Sequence, residues 1–114
     1  MKIKIHRGTH QIGGIAAEIS TDNTRIIIDM GDELSLDPDF RSEPLVIPGV
    51  TDENGSCDAV LFTHYHGDHI GQMDRVRKDI PLYAGPLAKD IMLLSSQHSR
   101  KNTNELEERI NSIK

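Results

Sequence analysis

The stretch that decides the fold is residues 59–69, AVLFTHYHGDH, where a short apolar run leads directly into a run rich in histidine. The apolar residues 59–62 predict a buried strand. Side chains two positions apart on an extended chain point to the same side, so His64 and His66 are expected to converge where the strand ends. Gly67 then permits a sharp change of chain direction. The sequence therefore predicts a strand that ends in a tight corner carrying two neighbouring imidazoles.

The residues after this corner add two further candidate ligands. Asp68 is a good N-cap for residues 70–78, which we interpret as a helix, so Asp68 and His69 are expected to project from its first turn toward the two imidazoles. Neutral imidazole and carboxylate are preferred by zinc, manganese and iron, whereas calcium favours oxygen donors alone. The alternative is a polar loop followed by an ordinary helix cap. Four potential ligands within six residues favour a metal site over that alternative.

Length and composition indicate one small domain with a modest core. The chain has 114 residues, of which 36% are hydrophobic and 4% aromatic, so the core is expected to be thin and aliphatic. No apolar run is long enough to span a membrane, and residues 1–6 lack the apolar stretch of a signal peptide, so we expect a cytoplasmic protein. Cys57 has no partner for a disulfide. The net charge of −5 argues against a broad phosphate-binding face but not against a local basic patch.

The first third of the chain is expected to form strands. Residues 2–5 alternate between polar and apolar side chains, and residues 15–19 and 25–29 are largely apolar around a polar turn, so a hairpin within a sheet is predicted. The glycine pair Gly13 and Gly14 lacks the flanking residues of a phosphate-binding loop. We interpret the pair as an aid to strand geometry or to close backbone approach.

Two features after the third predicted strand, Asp29 and the segment 31–57, each have two possible interpretations. Asp29 stands at the carboxyl end of that strand, where sheets covered by helices bind ligands, but an Asp there is also a common turn residue. Residues 31–57 carry three prolines and several acidic residues without a clear period, which predicts a long irregular loop. Such a loop either rims a pocket or presents a solvated surface.

The second half has the rhythm of an α/β protein. Its first helix has an approximate apolar face and cannot continue through Pro81. Residues 81–84 predict a short strand, and Gly85 with Pro86 opens a second helix, Pro86 being suited to its first position. Residues 102–105 resemble a capping box ahead of a third helix. The residues expected on the apolar faces of the three helices are Ile70, Met73, Val76 and Ile80, then Leu87, Ile91 and Leu94 with Met92 and Leu93 broadening that face, then Leu106, Ile110 and Ile113.

Residues 64–69 resemble the HxHxDH signature of the metallo-β-lactamase superfamily, which follows an apolar strand in that fold as it does here. Residues 6–14, 24–31 and 80–83 are also similar to the opening of ribonuclease J-like members, in the β-CASP branch. The resemblance implies an α/β fold, the N-terminal half of a metallo-β-lactamase-type αββα sandwich, with a mixed sheet and helices on one face. Residues 1–114 would then be a partial domain whose second half is absent.

The same resemblance implies a dinuclear metal centre. His64 and His66 would bind one ion, Asp68 and His69 the second, and Asp29 would lie near the site and support it. Two zinc ions are implied for the complete domain, with manganese as an alternative, and the remaining ligands would lie on later strands. Asp68 would also act in catalysis, because it can orient a metal-activated water or accept its proton.

The activity implied for the full-length protein is ribonuclease J-like hydrolysis of RNA phosphodiester bonds by a metal-activated water. Two alternatives stay open: a hydrolase of a small ester, thioester or lactam, and a catalytically silent fragment or binding module. A β-CASP insertion elsewhere in the protein would favour nucleic acid as the substrate over a small molecule. The 114 residues alone are expected to have no catalytic activity. Residues 26–28 and 59–62 are apolar on both faces, so we also expect copies of the chain to associate with each other. We expect no association with a membrane.

Overall fold

A mixed six-stranded sheet organises the part of the chain that the computed structural model describes, residues 1–8, 13–98 and 103–112. The strands lie in chain order across the sheet. Neighbours among the first three are antiparallel, whereas the third to the sixth run parallel. They are β1 (Lys2–Arg7), β2 (Ala16–Ser20), β3 (Arg25–Ile28), β4 (Ala59–Phe62), β5 (Leu82–Ala84) and β6 (Ile110–Ser112). The predicted α/β class with a mixed sheet is confirmed.

Helical segments lie between β4 and β5 and between β5 and β6, whereas a long loop joins β3 to β4. The helical segments are α1 (Gly67–Ile70), a 3-10 turn (Met73–Arg75), α2 (Pro86–His98) and α3 (Thr103–Arg109). Pro86 is the first residue of α2, as predicted, but only part of the expected apolar face is buried. Leu87 and Leu94 are 72% and 57% exposed, whereas Met92 is 3% exposed. Within the described ranges, no helix is both long and apolar enough to cross a membrane.

The hydrophobic core lies on one face of the sheet. Ile27, Val60, Leu82 and Ile110 are neighbours in register across β3 to β6, and each is at most 1% exposed. Because alternate strand residues point to opposite faces, these four side chains form a continuous buried row. The loop before β4 and the helices complete the core with Leu45, Ile47, Val50, Met92 and Leu106.

The loop between β3 and β4 has two parts. Side chains within residues 32–42 line an open depression of about 430 Å³. Further along, Leu45, Ile47 and Val50 are buried in the core. The loop itself lines this open depression, and its acidic residues Asp37, Asp39 and Glu43 are exposed, so this part presents a solvated surface, one of the two alternatives. The contribution of the loop to the core was not expected. An irregular segment has no helix or strand period that would mark its buried positions in the sequence.

The opposite face of the sheet, here called the second face, is apolar and partly open. Strand register and side-chain alternation place on it Ile3, Ile5, Ala17, Ile19, Ile26, Ile28, Ala59, Leu61 and Tyr83. On the edge strand β1, Ile3 and Ile5 are 66% and 48% exposed. None of these side chains is charged, and residues 26–28 and 59–62 present apolar side chains to both faces, as predicted.

The helix predicted at residues 70–78 is wrong in its bounds. Helix α1 already begins at Gly67, so Asp68 lies inside it rather than at its N-cap, and the helix ends at Ile70. The backbone groups that would extend it are used elsewhere. Asp68 O accepts a hydrogen bond from Ile15 N at 3.3 Å, and Gln72 N donates to Met30 O at 2.7 Å. These contacts with distant residues replace the next helical bond, and the chain continues as a 3-10 turn.

The helix predicted through Ile110 is also wrong at its end. Helix α3 stops at Arg109, and Ile110 opens β6, which pairs in parallel with β5. Ile110 is 1% exposed in the sheet, so pairing and burial there outweigh the helical spacing that the sequence suggests. Asn102 and Ile113, which belonged to the same prediction, lie outside the described residues.

Candidate metal centre

The candidate site lies where β3 and β4 end side by side. These strands are parallel, so their carboxyl ends meet at one edge of the sheet, where α/β folds commonly bind ligands. Asp29 follows β3 and Thr63 follows β4. The backbone N–H of Asp29 donates to Leu61 O at 2.9 Å, which continues the pairing to the ends of the strands. Side chains from the two strand ends are thereby brought together.

His64 and His66 converge just beyond β4, as the sequence predicts. Nε2 of His64 lies 3.0 Å from Nδ1 of His66, a hydrogen-bond distance, and the two ring centroids are 4.2 Å apart. The Tyr65 ring packs beside both, with centroid separations of 4.3 and 4.6 Å. His66 is exposed and His64 is half-buried, so the pair is accessible from solvent.

Helix α1 brings Asp68 and His69 to the same place. The backbone N–H groups of His69 and Ile70 donate to His66 O at 2.9 and 3.1 Å, which closes the turn directly after the histidine pair. Nε2 of His69 lies 3.5 Å from Oδ2 of Asp68, and the ring centroids of His64 and His69 are 5.5 Å apart. The four residues singled out from the sequence therefore form one cluster at the end of β4.

Asp29 is buried beside this cluster and contacts it directly. The residue is 2% exposed, and its carboxylate accepts hydrogen bonds from Thr63 N at 2.8 Å, Thr63 Oγ1 at 2.6 Å and His69 Nδ1 at 2.9 Å. A proton on Nδ1 leaves Nε2 of His69 with its lone pair. Asp29 also has a φ of 66°, a left-handed conformation that non-glycine residues rarely adopt and that the surrounding structure must maintain.

Comparison with known proteins identifies the family. Residues 16–103 match the family model described as the Metallo-beta-lactamase superfamily, and this range includes the cluster. The chain belongs to this superfamily. The resemblance inferred from residues 64–69 is thereby confirmed. As a member of the metallo-β-lactamase superfamily, the chain carries its histidine motif at the expected place, directly after a buried strand.

Individual relatives narrow the similarity within the superfamily. The chain is 33% identical over 90 residues to transcription termination factor FttA of Methanosarcina mazei, covering 76% of the chain and 14% of that protein. It is 36% identical over 86 residues to ribonuclease J 1 of Streptococcus pyogenes serotype M3, covering 71% of the chain and 15% of that protein. The ribonuclease J-like resemblance is confirmed. This chain spans only 14% and 15% of the lengths of these two relatives.

One solved structure supports the fold independently. The crystal structure of a protein of unknown function from Enterococcus faecalis V583 matches with a TM-score of 0.65 over 84% of this chain and 28% of that one. The sequences are 20% identical, so this similarity concerns the fold alone.

The chemistry of the cluster in this metallo-β-lactamase member fits a metal ion. Three imidazoles and a carboxylate are ligands that zinc and similar ions accept. They are not arranged as a coordination sphere, since among the described residues no three His, Cys, Asp or Glu side chains are grouped to hold one ion. His64 and His66 are hydrogen-bonded to each other, and Nδ1 of His69 is bonded to Asp29. Nε2 of His64 and Nδ1 of His66 already face each other, so only a small widening of their 3.0 Å separation would let both bind the same ion.

Sequence reasoning missed Thr63, which supports the cluster, and Gln72, which is bonded to the loop after β3. Thr63 donates to Asp29 from both its backbone N–H and its hydroxyl. Gln72 is 8% exposed, its side-chain N–H donates to Asp32, and its side-chain oxygen accepts from Leu45 N at 3.3 Å. The position of Thr63 directly after an apolar strand was the one available signal. Gln72 gave none, because its partners are distant in the sequence.

The glycine pair before β2 also touches the cluster. Gly13 has a φ of 76°, and a Cβ built there would lie 2.9 Å from Cβ of Asp68. Gly14 has a φ of 68°, and a Cβ there would lie 2.9 Å from Cγ of Glu33. The interpretation of this pair as permitting close backbone approach is confirmed.

Proposed function

We propose that this chain supplies part of the metal centre of a ribonuclease J-like hydrolase that cleaves RNA phosphodiester bonds. The observation that carries the proposal is the gathering of His64, His66, Asp68 and His69 at one sheet edge, with Asp29 bonded to His69. The relatives named ribonuclease J 1 and transcription termination factor FttA favour RNA as the substrate. Because the chain spans 14% and 15% of these relatives, we assign its residues to one part of a metallo-β-lactamase domain.

In this proposal His64 and His66 hold one ion, and Asp68 and His69 hold a second. Zinc is the expected metal and manganese the alternative, because the donors are imidazole nitrogen and carboxylate oxygen. Such ions, when bound, supply Lewis acidity that lowers the pKa of water and stabilises developing negative charge. We place the protein in the cytoplasm, where an unpaired thiol such as that of Cys57 is ordinary.

The side chains of the cluster have distinct roles in this proposal. The carboxylate of Asp68 is partly accessible, so it can orient a water molecule and accept its proton. Asp29 accepts from Nδ1 of His69 and thereby keeps Nε2 as the nitrogen that is free to bind a metal. Thr63 fixes Asp29 through two hydrogen bonds. Asp29 and Thr63 are therefore positioning residues, whereas Asp68 acts on the water.

The 114 residues alone are expected to bind metal weakly and to be catalytically silent. Each ion would receive two protein ligands, whereas catalytic zinc sites ordinarily have three and structural sites four. A silent binding module is thus the behaviour proposed for this chain when it is studied by itself.

Calorimetric titration with Zn²⁺ tests the metal site. The variants are His66→Ala and, as a matched control, His6→Ala, whose ring instead contacts Glu18 at 2.9 Å. We expect the wild type and His6→Ala to bind zinc weakly and alike, and His66→Ala to bind about tenfold or more weakly. Two tight sites on a monomer would contradict the ligand count, and equal binding by His66→Ala would contradict the site.

Hydrolysis assays separate the candidate substrates. The full-length protein, supplied with Zn²⁺ or Mn²⁺, is expected to cleave a labelled RNA. It should leave a p-nitrophenyl ester and a chromogenic lactam largely intact. Preference for the ester or lactam would instead support the small-substrate alternative.

We also propose that the chain self-associates through the second face, with another copy as its partner. This face is apolar from β1 to β5, and Ile3 and Ile5 on the edge strand β1 are 66% and 48% exposed. Burying about 500 Å² of apolar area per chain would contribute on the order of 12 kcal/mol before the entropy of association is subtracted. After the entropy of association is subtracted, part of this favourable free energy is expected to remain and to stabilise the dimer or larger oligomer.

Sedimentation at micromolar concentration tests this association. The variant Ile5→Lys puts a charge on the second face, and Lys4→Gln, on the opposite face of the same strand, is its control. We expect Ile5→Lys to shift the wild-type oligomer toward monomer and Lys4→Gln to leave it unchanged. A wild type that is monomeric at every concentration would rule out the association.

A further inference from the structure

Gly31 lies in contact with the backbone of the helix that carries two of the proposed ligands. A Cβ added to Gly31 would overlap the carbonyl group of Asp68 and would come within 2.9 Å of His69 N. Gly31 does not have a positive φ, in contrast to Gly13 and Gly14, so it is lack of space that requires glycine here. Any side chain at this position must push α1 away from the end of β3.

Helix α1 depends on this contact for its position. It has four residues, too few to be stable by itself, so its neighbours must fix it. Two backbone hydrogen bonds do so beside Gly31: Met30 N donates to His69 O at 2.8 Å, and Ile15 N donates to Asp68 O at 3.3 Å. The carbonyl groups of both proposed ligands on α1 are therefore held by Met30, the residue before Gly31, and by Ile15, which is itself bonded to Gly31 N.

The side chain of Arg7 is hydrogen-bonded to the backbone of Gly31. Its guanidinium donates to Gly31 O at 2.5 Å, to Gly14 O at 3.1 Å and to Glu43 O at 2.6 Å, and the side chain is 11% exposed. Gly31 N in turn donates to Ile15 O at 3.0 Å. One arginine thus joins the end of β1, the turn before β2 and the loop after β3, three segments that are separate in the sequence.

We propose that Arg7 and Gly31 form a brace that positions α1, and with it Asp68 and His69, against the buried carboxylate of Asp29. The brace rests on the proposed function, in which Asp68 and His69 bind metal. Arg7 and Gly31 are not among the proposed ligands, so their role is to position α1. Arg7 fixes the position of the Gly31 backbone, and the missing side chain of Gly31 allows α1 to approach it.

Amide hydrogen exchange of the metal-free protein tests the brace without requiring metal binding. The variant is Gly31→Ala, and the matched control is Gly85→Ala, because a Cβ at Gly85 would meet nothing within 4 Å. In Gly31→Ala we expect exchange about tenfold or more faster at the amides of Met30 and Gln72, whereas the amide of Val60 in β4 stays protected. Gly85→Ala should match the wild type. Unchanged exchange at Met30 and Gln72 in Gly31→Ala would overturn the proposal.

Cobalt titration of the same variants gives the second readout. We expect Gly31→Ala to bind Co²⁺ about 10- to 100-fold more weakly than the wild type and Gly85→Ala, as for other losses of groups that support metal ligands. Equal affinity in the two glycine variants would overturn the proposed link to the ligands. If the wild type binds no cobalt, the proposed function fails, and the exchange data still decide whether the brace exists.

Arg7→Gln covers the case in which Gly31→Ala does not fold, recognised by loss of protection at Val60 as well. Arg7→Gln removes the charge and most of the donors, so exchange at Met30 and Gly31 should accelerate while β4 stays protected. Arg7→Lys retains one cationic donor group and should recover part of the protection. If Arg7→Gln exchanges like the wild type, Arg7 does not hold the brace.

Discussion

Two carboxylates on neighbouring strands of this protein each contact a histidine, in different chemical surroundings. Glu18, in the middle of β2, accepts from Arg25 at 2.8 Å and contacts His6 at 2.9 Å. Asp29, at the carboxyl end of β3, accepts from His69 at 2.9 Å and from Thr63. Their side chains are 13% and 3% exposed. Contact between a carboxylate and a histidine therefore does not by itself mark a functional site.

The partners of the two carboxylates account for the difference. Burial raises the pKa of Glu18, but hydrogen bonds from Arg25 and His6 outweigh burial and hold that pKa below its ordinary value of 4.5. Arg25 also donates to Pro48 O and Ser56 O, so the Glu18 cluster ties the loop before β4 to the sheet. Asp29 has a strained backbone and is bonded to a histidine of the metal motif. The Glu18 cluster is structural, whereas we assign the Asp29 cluster to the metal centre.

Asp29→Asn should have the largest effect, because asparagine tolerates the left-handed backbone but replaces one acceptor oxygen with a donor group. The amide N–H of asparagine would then face the N–H and O–H donors of Thr63 and His69, so at least one of these hydrogen bonds would be lost. We expect the free energy of unfolding to fall by about 1–3 kcal/mol and metal affinity to fall about 10- to 100-fold. Urea denaturation and Co²⁺ titration measure the two effects. Wild-type metal affinity in a folded variant would show that Asp29 does not support the site.

Glu18→Gln should affect stability but not metal binding. Because the folded-state pKa of Glu18 is lowered, its contribution to stability is present above pH 4.5 and is lost as pH falls through the folded value. The variant should lose about 0.5–1.5 kcal/mol at pH 7 and should show a smaller loss of stability between neutral and acid pH. Denaturation across that pH range measures both, and a change in Co²⁺ affinity would contradict the separation of the two clusters.

Thr63→Val should have a smaller effect than Asp29→Asn. Valine keeps the branched shape and the backbone N–H that donates to Asp29 at 2.8 Å, and it removes only the hydroxyl donor. We expect a loss of about 1 kcal/mol in the free energy of unfolding and a smaller decrease in metal affinity than in Asp29→Asn. An effect as large as that of Asp29→Asn would mean that Thr63, and not His69, is the important partner of Asp29.

Local spacing made the metal motif predictable. His64 and His66 are two positions apart after a strand, and Asp68 and His69 follow within the next turn, so their convergence needs little information from the rest of the chain. The parallel pairing of β3 with β4 brings Asp29 to the same edge. The sequence suggested that possibility but could not separate it from a turn, because the contact with His69 spans 40 positions in the chain.

The errors occurred where distant contacts override local preference. Ile110 has helical spacing to Leu106, yet it pairs with Leu82 in the sheet. The early end of α1 arises from hydrogen bonds to Ile15 and Met30. In each case the chain satisfies its backbone groups with a partner that the local sequence does not specify.

The most direct test of the central claim is long-range ¹H–¹⁵N NMR of the histidine rings during titration with Zn²⁺. We predict that the ring nitrogens of His64, His66 and His69 all change their shifts, because each of these residues binds one of the two proposed ions. The ring of His6, bonded to Glu18 in the other cluster, should not respond. Zinc-induced shifts at His6 with none at His64 and His66, or no shifts at any of the four rings, would contradict the account.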